Sequence, residues 1–300
     1  MRLRILLGLV AIAVLAAGCG ASPSNPRPSG LRVVAAENFW GSLATQLGGA
    51  RVRVTSIITS PDADPHDYEP RAADARTMAG AQLAIVNGIG YDEWASRLIA
   101  ANPVDGRRIL DVGTLVGLKA GDNPHQWYSP ATVRRVIDRI VVDYQRLDPS
   151  DAAYFDRQKA LVESRNLRRY RGLIAQIRRR YGGTPVGASE SIFVPLAKAL
   201  GLHLVTPAGF LRAVSEGTDP TTTDKQTVDR QIVRGQIRVW VYNRQNTTPD
   251  VKRLNEAAAR SRIPISTVTE TLTPAGVSFQ QWQVAQLEAL ARALGQARAR

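Results

Sequence analysis

Val52-Arg53-Val54-Thr55-Ser56-Ile57-Ile58, then Ser60-Pro61-Asp62-Ala63-Asp64-Pro65-His66-Asp67-Tyr68-Glu69-Pro70, sets the pattern on which the fold is read. Apolar residues alternate over 52–58, the period of a strand, and the polar, proline-bearing run after it can only be a loop leaving the strand's end. Pro70 suits the first turn of a helix over 71–79. His66 is thereby presented on a strand-to-helix loop, with a proline before it pinning the backbone.

The same alternation spreads outward in both directions. Upstream lie a strand over 33–36 and a helix over 39–47 that stops at Gly48-Gly49. Downstream, strands over 82–87 and 108–112 flank a helix over 91–101. A helix over 130–146 then carries Val133, Ile137, Ile140 and Val141 on one face. The longest helical run, 150–181, would reach about 48 Å, more than a small domain is wide, so it should bridge two lobes. Its face is read from Tyr154, Leu161, Tyr170, Ile174, Ile177 and Tyr181, and its many arginines mark a solvated side. Past Gly182-Gly183 come strands over 185–189, 202–206, 238–242 and 265–269. Helices are expected over 191–200, 224–234, 249–261 and 279–298, with a long polar loop through Gly217 and Pro220. Alternating strands and helices predict an α/β fold with parallel sheets: two Rossmann-like lobes, 31–149 and 183–300, joined by one long helix over 150–182.

The N-terminus reads as a targeting segment: Arg2 and Arg4, an apolar stretch over 5–17, and small residues closing at Leu15-Ala16-Ala17-Gly18-Cys19. It is too short to span a bilayer. Residues 1–18 resemble a bacterial lipoprotein signal, which would leave an acylated Cys19 as the new N-terminus; an ordinary secretory signal is the alternative. Cys19 is the one cysteine of the chain, which excludes an intramolecular disulfide and leaves lipidation as its role. Residues 19–30 form a Pro/Ser-rich tether. The net charge is +13, and +11 once Arg2 and Arg4 leave with the signal. A basic body suits anionic lipid. The excess is scattered, largely over 134–180, and an exported chain has little access to nucleic acid, so no nucleic-acid partner is expected.

Two of the three histidines occupy Pro-His loops that end in proline before a helix, the second being Asn123-Pro124-His125-Gln126-Trp127-Tyr128-Ser129-Pro130. Ligands of open α/β sheets bind at the carboxyl ends of strands. There the second lobe offers Glu190 and Glu270. Two imidazoles and two carboxylates make a four-residue N/O site whose two negative charges balance a divalent cation. The plainer alternative for Glu190 is a helix N-terminal charge. His203 alternates away from the apolar face of its strand and reads as structural.

The segments Ala63 to Pro70, Asn123 to Trp127, Ser189-Glu190-Ser191-Ile192-Phe193 and Val268-Thr269-Glu270-Thr271-Leu272 resemble the ligand motifs of the zinc/manganese-specific solute-binding lipoproteins of ABC transporters. The resemblance runs in order over nearly all of the chain. It implies two lobes around a rigid linking helix, with one divalent ion, Mn²⁺ or Zn²⁺, held in the interlobe cleft by His66, His125, Glu190 and Glu270. It further implies a monomer, lipid-anchored outside the cytoplasm, that hands the ion to a membrane permease and is no enzyme. Glutamate at the third position resembles the manganese-type binders, whereas Glu270 departs from the usual aspartate at the fourth. Asn123 stands where aspartate is common, so an acceptor behind the His125 ring is expected to be missing. Two hard carboxylates lean toward manganese, although the general affinity order favours zinc. An exported zinc hydrolase and a surface adhesin are the competing readings.

Overall fold

In the computed structural model, which describes residues 30–60 and 68–298, eight parallel strands form two four-stranded sheets. The chain runs β1 (Leu31–Glu37), α1 (Asn38–Gly48), β2 (Val52–Ile58), α2 (Ala72–Ala79), β3 (Leu83–Val86), α3 (Glu93–Ala101), β4 (Arg108–Asp111), α4 (Val112–Val116) and α5 (Pro130–Leu147) through the first lobe. Its sheet order is β2-β1-β3-β4. The second lobe holds β5 (Pro185–Ala188), α8 (Val194–Leu200), β6 (His203–Leu204), α9 (Ala208–Ser215), α10 (Thr222–Val233), β7 (Val239–Asn243), α11 (Pro249–Arg260), β8 (Ile265–Val268) and α12 (Phe279–Arg298). Its order, β6-β5-β7-β8, repeats the first. Both sheets are thus wound in two directions from a central strand, which opens a crevice at the carboxyl ends of the two middle strands.

Between the lobes, α6 (Ala152–Leu161) and α7 (Arg168–Tyr181) are joined by one π-helical turn, Val162–Asn166, closed by the Leu167 amide on the Val162 carbonyl at 2.9 Å. The connector is therefore interrupted where one straight helix was expected. The reason lies in its apolar spacing. Phe155 before the turn and Val162 at its first position are buried, as are Leu167, Tyr170, Leu173, Ile177 and Tyr181 after it. The five-residue step from Val162 to Leu167 matches a π turn and would drift off the face of an α-helix. Leu161, expected on the buried face, is 48% exposed for the same reason, since the buried stripe runs through its neighbour Val162.

One apolar core runs from β1 and α1 through α5 and the connector into β5 and α12, so the lobes share packing along their backs. Phe39, Trp40, Trp127, Tyr144, Phe155, Phe279 and Trp282 fill it. Smaller clusters lie on the outer faces, under α2 and α3 in the first lobe and under α10 and α11 in the second. Within the expected loop before Pro220, α9 forms because Phe210, Leu211 and Val214 share one face and are buried. His203 is exposed in the edge strand β6, as its alternation predicts. No described helix is long and apolar enough to cross a membrane.

Candidate metal centre

Three of the four expected ligands lie in the buried seam between the lobes; His66, like Cys19, lies outside the described residues. His125 is fully buried at the end of a loop, one residue before the single turn Gln126–Tyr128. Aromatic packing fixes its plane: Trp127 and Tyr91 meet the ring edge-on at 5.2 and 6.1 Å, and Trp127 stacks on Phe39 at 4.1 Å. Asn123 Oδ1 accepts from the His125 amide at 3.0 Å and lies 2.9 Å from Nδ1. The acceptor behind the ring, expected to be missing, is thus supplied by an amide. It loses the charge of aspartate and gains a donor, because Asn123 Nδ2 reaches across the seam to the Ser191 carbonyl at 2.7 Å. On its other side, His125 Nε2 lies 3.5 Å from Glu270 Oε1.

The carboxylates come from strand ends. Glu190 follows β5 and Glu270 follows β8, and both are buried. Glu190 precedes a short helical turn but makes no capping bond to it. It turns instead toward Asn243 Nδ2, 2.6 Å from Oε1, and Asn246 Nδ2, 2.8 Å from Oε2. Its side-chain partners are thus amides of the β7 end and not the backbone of the helical turn that follows it. Glu270 Oε1 accepts from the same Asn243 amide at 2.9 Å, and its Oε2 from the Tyr91 hydroxyl at 3.0 Å across the seam. Gln245 Oε1 accepts from the Glu270 backbone at 2.6 Å and so fixes the turn that aims it. One amide group thus gathers both carboxylates to a point beside the imidazole. Among the described residues, His, Cys, Asp and Glu side chains do not close into a group of three or more at metal-binding spacing. Asn243 stands between the carboxylates.

Asn243, Gln245, Asn246 and Tyr91 were not singled out from the sequence. The signal was present: Asn243-Arg244-Gln245-Asn246 leaves the carboxyl end of the apolar strand Val239–Asn243, where polar side chains meet a ligand. Beside the seam a cleft of about 540 Å³ opens between the lobes, lined by Ile89, Tyr91 and Pro124 on one side and Val194, Leu211 and Arg212 on the other.

Residues 33–293 match the profile of the periplasmic component A of the zinc-uptake complex, the ZnuA family, and the chain belongs to that family. Among curated relatives, it is 30% identical to the manganese-binding lipoprotein MntA of Halalkalibacterium halodurans over 152 residues, 49% of this chain and 50% of that protein. It is 26% identical to the iron-binding protein YfeA of Yersinia pestis, over 68% of each chain. The chain thus spans about half the length of the first of these relatives and about two thirds of the second. A manganese-bound periplasmic metal-binding protein of Candidatus Liberibacter asiaticus has the same fold, with a TM-score of 0.75 at 18% identity over 88% of this chain and 99% of that one.

Proposed function

We propose that this chain is the extracytoplasmic metal-capture component of an ABC importer for a divalent transition metal, manganese or zinc, which it passes to a membrane permease. The observation that carries the reading is the gathering of Glu190 and Glu270 onto Asn243, beside His125 Nε2, in a buried seam to which both lobes contribute. Two carboxylates and an imidazole suit a dication, with His66 as the fourth ligand. The incoming ion competes with the Asn243 amide hydrogens for the same two oxygens. Two hard oxygen ligands lean toward manganese. The division follows the same reading: a signal over 1–18, lipidated Cys19 and tether over 19–30, and a monomeric body of two lobes, 31–149 and 183–300, joined by 150–182.

Titration calorimetry of the mature chain with Mn²⁺ and with Zn²⁺ tests it. One site per chain is expected for each ion, lost in His125→Ala. Correctly folded protein that takes up neither ion contradicts the reading.

A further inference from the structure

The connector's outer side is unusually basic for a helix that packs on both lobes. Arg157, Arg165, Arg168, Arg169, Arg171, Arg178, Arg179 and Arg180 are all exposed on it. From residue 164 to 181 the sequence contains no acidic residue. Arg169 pairs with Glu288 of α12 at 2.9 Å. Among the described residues none of Arg165, Arg168, Arg171, Arg178, Arg179 and Arg180 has a carboxylate partner. The face reaches from Arg157 to Arg180, about 35 Å. Repulsion along such a row costs stability unless an anionic surface lies against it.

The start of the described chain lies at one end of this row. Gly30 sits against the Arg51 carbonyl, Arg51 pairs with Asp151 at 3.1 Å, and the Ala50 amide donates to the Tyr154 hydroxyl at 3.0 Å. The chain therefore enters the fold beside the first turn of the connector. Eleven residue steps separate Cys19 from Gly30, a reach of at most about 38 Å. That is enough for an anchor at Cys19 to let the connector lie along the membrane to which it is tied.

We infer that the arginine face of the connector is a docking surface for an anionic phospholipid bilayer, on which the lobes lie with their shared back down and their metal seam off the lipid. The geometric half of this inference rests on the Cys19 anchor; none of it rests on the metal site. Electrostatic attachment of this kind adds to acyl anchoring, since each basic residue near the surface favours binding about five-fold.

The test uses the chain from Ala21 onward, which contains every strand of both sheets and no acyl group. Its sedimentation is measured with phosphatidylcholine vesicles and with vesicles in which about a third of the lipid is phosphatidylglycerol. Binding is expected to the anionic vesicles alone and to weaken as salt rises. Arg168→Gln, Arg171→Gln and Arg179→Gln together should lower the partition roughly 100-fold. Arg71→Gln, Arg76→Gln and Arg97→Gln, a triple of equal charge on the α2–α3 side, should lower it far less. Circular dichroism and calorimetry with Mn²⁺ check that both triples stay folded. Absence of binding to anionic vesicles, or equal loss in the two triples, overturns the inference, the second outcome showing that net charge alone is at work.

Discussion

Two residues beyond the last paired positions of its middle strands, Ala35 with Ile85 in the first sheet and Ala188 with Val241 in the second, each lobe places a glutamate opposite an asparagine. In the first lobe these are Glu37 and Asn87; in the second, Glu190 and Asn243. The surroundings decide what each pair does. Glu37 is fully buried next to Asp92, which accepts from the amides of Asn87 at 2.6 Å and Gly88 at 2.7 Å. Burial first, and then the Asp92 charge, holds Glu37 well above the usual carboxylate range; burial raises Asp92 to about 6, against the opposing pull of those amides. The first lobe thus disfavours charge on both of its acids. Asn87, freed from the acids, donates to the Pro124 carbonyl at 2.9 Å and accepts from Trp40 at 3.1 Å, bracing the loop that carries His125. In the second lobe the amide side chain itself gathers the acids, Asn243 Nδ2 donating to both Glu190 and Glu270. One winding, used twice, gives a brace on one side and an acceptor on the other.

Three substitutions probe this contrast. Glu270→Ala removes a carboxylate that no proton replaces, and should lower metal affinity by more than about 100-fold, beyond what loss of an outer partner costs; calorimetry reads it. Asn243→Ala leaves two buried carboxylates without their shared donor, so the metal-free protein should lose about 1–3 kcal/mol. Because a bound ion replaces that donor, the rise in melting temperature on adding Mn²⁺ should be larger than in the wild type. An equal or smaller rise would show that Asn243 does not hold the carboxylates for the ion.

The smallest effect belongs to the first lobe. Below the unfolded carboxylate value of about 4, Glu37 and Asp92 are protonated in both states and cost nothing. Between there and the raised folded values, the unfolded chain ionises while the folded one keeps its proton. Stability therefore falls as pH rises through that window. Glu37→Gln removes one of the two titrating groups at nearly constant volume. It should match the wild type near pH 4 and be more stable than it at pH 7, in urea unfolding at both values. A gain that does not depend on pH would mean that Glu37 is not held above the ordinary carboxylate range.

The legible part of this molecule is the part written in periodicity. The succession of strands and helices follows from alternation, and the placing of Glu190 and Glu270 from strand ends, while the order of strands within each sheet was not read. Less legible were features set by partners distant in sequence. The acceptor role of Asn123 depends on how its loop folds back on His125, and that of Asn243 on Glu270, 27 residues away. The connector's π turn was visible only as a five-residue step between Val162 and Leu167, hidden by an apolar Leu161 one residue out of register. Helix α9 was masked by the polar run that follows it, although Phe210, Leu211 and Val214 already had helical spacing.

The central claim is that the seam between the lobes is where the ion sits, and anomalous scattering from crystals of manganese-loaded protein, recorded on both sides of the manganese edge, tests it most directly. A single peak is predicted, within bonding distance of His125 Nε2 and of carboxylate oxygens of Glu190 and Glu270, with the Asn243 amide displaced from between them. A peak elsewhere, or an intact Asn243 bridge in the loaded protein, would contradict the account.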